Sequence, residues 1–68
     1  MEKGWVIAYT TNQEYQAEIF REILRDHDIP SQIINKMDRT YQTFGEVEVY
    51  VPDIFILKAK MLAREFEG

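Results

Sequence analysis

Between Phe44 and Asp53 the chain alternates. Val47, Val49 and Val51 fall on one side of an extended backbone, and Glu46, Glu48 and Tyr50 fall on the other. Successive side chains of a strand point to opposite faces, so this pattern predicts a strand with one buried and one open face. Pro52 removes a ladder donor and Asp53 is a good helix cap, so the strand is expected to stop there. Trp5 to Thr10 predicts a first strand. Trp5, Ile7 and Tyr9 share one of its faces and Val6, Ala8 and Thr10 the other. Both sets are fairly apolar, which suits a strand covered on both sides.

Helical periods separate these strands. Thr11 and Glu14 have capping-box spacing, so a first helix is expected to follow and to run through Asp26. Ala17, Phe20, Ile23, Leu24 and His27 form its apolar stripe, with Glu14, Glu18, Arg21, Glu22 and Arg25 opposite. Glu18 with Arg21 and Glu22 with Arg25 are spaced to pair across one turn. The helix is expected to stop at Asp28-Ile29-Pro30, with Asp28 in the left-handed position that glycine prefers. Ser31 to Asn35 predicts a short second strand, and Lys36 to Thr43 a polar loop. A second helix is expected from Asp53 to Phe66. Phe55, Ile56, Ala59, Leu62, Ala63 and Phe66 make its broad apolar face. Ile54, Leu57 and Met61 make a second, narrower stripe. A helix on one sheet needs one face, so the second stripe is surplus and marks an interface. Local cover by a loop or terminus is the plainer alternative.

The order strand-helix-strand-strand-helix implies an α+β, ferredoxin-like sandwich. A crossover places strands one and two parallel with a slot between them, and strand three enters that slot antiparallel. The sheet order is then 1-3-2, with both helices on one face. The fourth strand usual in this fold would lie beside strand one. It is expected to be absent here, which leaves strand one an open edge that can pair with another chain.

At 68 residues the chain is read as a single domain, residues 1–68. Such a domain buries only about 60% of its unfolded surface, and small scaffolds without staples gain stability by oligomerising. A homodimer is therefore expected. No cysteine means no disulfide and no thiolate metal site. Twelve acidic against eight basic residues give a net charge of −4, which disfavours nucleic acid and anionic membranes as partners. No apolar run approaches a membrane span, and Met1 to Gly4 do not read as a signal peptide, so the cytoplasm is expected.

Several residues together carry a family resemblance. They are Trp5 opening strand one, Tyr15 to Glu18 opening the first helix, Ile29 after its turn, Asn35 to Asp38 leaving strand two, Tyr41 in the loop, and Gly45 to Val51. The chain resembles a bacterial family of putative prokaryotic signal-transducing proteins, across nearly its whole length. The resemblance implies a fold grouped with the P-II-type nitrogen regulators and a regulatory role with no established reaction. Asp28 departs from the glycine expected there, and Arg39 and Thr40 from small hydroxyl residues. P-II regulators have a longer loop and a fourth strand, so their nucleotide binding is not carried over.

No nucleophile with an attendant base stands out, and no glycine-rich phosphate loop; no enzyme activity and no cofactor is expected. His27, between Asp26 and Asp28, is a base by type. At a helix carboxyl end it reads more simply as a cap. Glu46 and Glu48 are two apart on one strand face, and with Asp38 they offer oxygens to a small molecule or a divalent cation. Their plainer role is a solvated face, and no metal site is assigned. Trp5, Tyr9 and Tyr50 together resemble the stacking platform of an RNA-binding sheet. The glutamates beside them oppose that reading, and burial in a dimer fits better. The candidate recognition surface is Asn35, Lys36, Asp38, Arg39 and Tyr41 with Glu46 and Glu48. The candidate interface is Ile54, Leu57 and Met61, with Trp5 and Tyr9. The first reading is a non-catalytic regulatory or interaction module, the second a small-molecule or cation binder, and the third an enzyme with a site shared between two chains.

Overall fold

The computed structural model describes residues 4–36 and 47–67. Strand β1 (Trp5–Thr11) leads to helix α1 (Glu14–Asp26) and strand β2 (Gln32–Asn35). Strand β3 (Val47–Pro52) then leads through a 3₁₀ turn (Asp53–Phe55) into helix α2 (Ile56–Glu67). The sheet order is β1-β3-β2, with β3 antiparallel to both neighbours. This is the expected α+β sandwich, with the valine strand at its centre.

Val47, Val49 and Val51 are fully buried and meet Phe20 and Leu24 of α1 and Ala59 and Leu62 of α2 in one core. The alternation thus works as read: an apolar side chain every second residue gives one dry face under both helices. Ala17, Phe20 and Leu24 are the buried positions of α1, and Ile23 packs at their margin. His27 falls outside the packed stripe. It is exposed, and its Nδ1–H donates to the Ile23 carbonyl at 3.0 Å.

The stop of α1 is a Schellman motif. Asp28 N–H donates to Arg25 O and Ile29 N–H to Leu24 O, each at 2.9 Å. Asp28 has φ +60°, the left-handed conformation the stop requires. Ile29 and Leu24, bridged by the bond of wider sequence span, are both buried, which adds the apolar contact typical of this cap.

Two expected caps are absent. Thr11 is still in β1, opposite Val47, and its Oγ1 accepts from Gln13 N–H at 3.1 Å. Gln13 occupies the N-cap position of α1 without a side-chain cap bond. The hydroxyl stands two residues before the N-cap, too deep in the strand to close a capping box. Asp53 makes no side-chain cap either; its N–H donates to Gly4 O at 2.7 Å, tying the start of the 3₁₀ turn to the start of β1.

Strict alternation also fails in β1. Ile7 lies opposite Tyr50 and Tyr9 opposite Val49, so Ala8 is an extra residue, a β-bulge. Trp5, Ile7 and Thr10 oppose Pro52, Tyr50 and Glu48 and share the open face. Val6, Tyr9 and Thr11 oppose the core valines. Tyr9 is therefore not an open-face or interface residue. It is only 9% exposed, with its ring 4.9 Å from Phe20 and 5.7 Å from Phe66.

Candidate functional site

The open face of the sheet carries a polar cluster at its centre. Glu48 lies on β3 between Thr10 of β1 and Ile34 of β2. Central position, with a strand on either side, leaves it 5% exposed. The expected solvated glutamate is thus a buried one. A buried carboxylate needs hydrogen-bond partners, and among the described residues it has two. Tyr50 OH donates to Glu48 Oε1 at 3.0 Å, from two residues along the same face. Lys36 Nζ reaches the same oxygen at 3.2 Å from just beyond the end of β2. The lysine is mostly exposed, so its ammonium stays hydrated on one side while it balances the carboxylate.

This arrangement raises the Tyr50 phenol above its usual ionisation range. The hydrogen bond to Glu48 is the main cause, followed by burial and by repulsion between the carboxylate and a phenolate. The cluster therefore holds one proton firmly between an oxygen acid and a carboxylate, with a cation alongside. That is a positioning network: its carboxylate oxygen is already engaged twice.

Asn35 and Lys36 diverge, although they are adjacent in sequence. Asn35 opposes Val47 on the helix side, and its Nδ2 donates to Glu14 Oε2 at 3.3 Å at the start of α1. Lys36 turns to the open face. Asp38, Arg39, Tyr41 and Glu46 lie outside the described residues. Among the described residues, no three His, Asp or Glu side chains are grouped to hold a metal ion.

Of the interface candidates, Trp5 is half-buried on the open face, in the row that also holds Ile7 and Thr10. Ile54, Leu57 and Met61 are 80%, 84% and 47% exposed on the outer side of α2 and the turn before it. The surplus stripe is therefore free of cover among the described residues. Sequence reading missed Glu14 as the partner of Asn35, and Tyr50 and Lys36 as the partners of Glu48. Tyr50 was detectable, since residues two apart on a strand share a face; the lysine, twelve residues away in sequence, had no local signal.

The family model described as putative prokaryotic signal transducing protein matches residues 5–67. The chain belongs to this family. The match spans every described strand and helix, so the signal-transducing family and the three-stranded α+β unit coincide. No curated protein and no solved structure matches the chain. No helix among the described residues is long and apolar enough to cross a membrane.

Proposed function

We propose that this member of the signal-transducing family is a non-catalytic cytoplasmic regulatory module that works by protein association and is itself a homodimer. The observation that carries this is the stripe of Ile54, Leu57 and Met61. Large aliphatic side chains at helical spacing, left in water on a domain with little core to spare, favour a covered state. The Glu48 cluster supports association over catalysis or cation binding. A cation at Glu48 would compete with Lys36 and Tyr50 for the same oxygen. The recognition surface is the 35–43 segment together with the 46–48 face.

Sedimentation at micromolar concentration tests this. The wild-type chain is expected at twice its monomer mass, and Leu57→Glu at the monomer mass with its melting unchanged in dilute solution. A wild-type chain that sediments as a monomer removes the stripe from the reading.

A further inference from the structure

Helix α2 packs more closely on β1 than on β3, so it sits above the outer edge of the sheet. Beneath this overhang runs a groove of about 600 Å³. Its floor is the edge of β1 from Ile7 to Thr10, and its wall carries Lys60, Ala63, Arg64 and Glu67. Among the described residues β1 has a strand neighbour on one side only. Its outer N–H and C=O groups are a template for one more strand.

Steric limits narrow the occupant. Strands in a sheet lie about 4.8 Å apart, whereas packed helices need about 8–10 Å. Two copies joined antiparallel through β1 would each bring an α2 over the same pair of strands, too close to fit. The groove suits a strand that carries no helix of its own. The bulge at Ala8 twists this edge, which disfavours long flat pairing and suits a short segment.

Charge narrows it further. Lys60 and Arg64 are one helical turn apart, and neither forms an ion pair among the described residues. Two cations against the single Glu67 make this wall basic on a chain whose net charge is −4. Ala63 stands between them and leaves room for an aliphatic side chain. We propose that the groove between β1 and α2 takes a short, extended, acidic peptide segment of another protein, added to β1 as a fourth strand with its carboxylates at Lys60 and Arg64. This goes beyond the dimer, although Lys60 and Arg64 adjoin Leu57 on the surface of α2.

The probe is an end-blocked nonapeptide of alternating glutamate and valine, titrated into the full chain and followed by amide NMR and hydrogen exchange. The control alternates lysine and valine. Amides of residues 7–10 are expected to shift and gain protection with the acidic peptide. It should bind roughly ten-fold tighter than the control, as two exposed ion pairs allow. The double variant Lys60→Glu, Arg64→Glu, in which both changes are on the surface, should reverse that preference with its melting unchanged. No shift in residues 7–10 at millimolar acidic peptide overturns the proposal. So does equal affinity for both peptides, or a dilution series of the chain alone that shifts the same amides, which would assign the groove to a second copy. Ile54→Glu, in the turn before α2 and six residues from Lys60, should alter sedimentation and leave the titration as it was, so the two surfaces succeed or fail separately.

Discussion

Asp28 shows how one backbone angle is tolerated for the sake of two hydrogen bonds. At φ +60° an L side chain is strained, though Asp accepts this region better than most residues. Glycine relieves the strain and costs unfolded-state entropy in return. Asp28→Gly is therefore expected to be neutral or to stabilise by up to about 1 kcal/mol, read as a melting temperature equal to or a few degrees above wild type. A clear loss would mean that the aspartate side chain itself holds the turn. At Tyr50 the same scale gives a pH prediction. The folded phenol ionises above its unfolded value of about 10. Its contribution to stability is full below pH ~10 and is lost as pH rises through the folded value. The Tyr50 ring signals should titrate above the usual range in wild type and closer to it in Glu48→Gln, since the carboxylate is the main cause. Unchanged titration in that variant would remove the hydrogen bond as the explanation.

At the scale of the element, β1 is decided by its bulge. Were Ala8 held in regular alternation instead, the strand could keep Tyr9 against Phe20 and Phe66 only by turning Trp5 and Ile7 toward the helices and Val6 to the open side. Keeping Trp5 and Ile7 in place would instead turn Tyr9 out of the core. Either way, large side chains lose their sites. Deletion of Ala8 leaves Val6 and Tyr9 toward the core and Ile7 and Thr10 outward in plain alternation, so it is expected to lower the melting temperature far less than Tyr9→Ala, which removes a buried aromatic at about 3–5 kcal/mol. A loss as large as that of Tyr9→Ala would show that the bulge itself, and not the faces it sets, is required. Helix α2 is equally divided in its duties. Ala59, Leu62 and Ala63 face the core, Lys60 and Arg64 flank the groove, and Leu57 and Met61 are exposed beside them. Its small core-facing alanines bring it close to β1, and that closeness forms the overhang.

For the whole molecule, the sheet has one covered face, one face with a buried glutamate, and two strand edges, β1 and β2, without a further strand among the described residues. A domain of this size has a total stability of only roughly 3–10 kcal/mol, so an association that buries Leu57 adds a substantial fraction. If the stripe is a dimer contact, the melting temperature should rise with protein concentration by mass action. In Leu57→Glu that dependence should vanish. A melting temperature independent of concentration in the wild-type chain would argue against self-association even if the fold is as described.

The strand-helix-strand-strand-helix order, the central place of Val47 to Val51 and the stop at Asp28 were all legible without coordinates. They rest on short-range rules: period two, period 3.6, and a residue suited to a positive φ. The exposed stripe of α2 was legible for the same reason. The burial of Glu48, the inward turn of Tyr9, the Glu14–Asn35 contact and the groove under α2 were not. Each depends on which strand lies opposite which, and on one extra residue in β1 that only pairing with β3 reveals. Local pattern determines which way a side chain points along its own strand or helix; register between strands and the height of a helix above a sheet edge decide what it meets there.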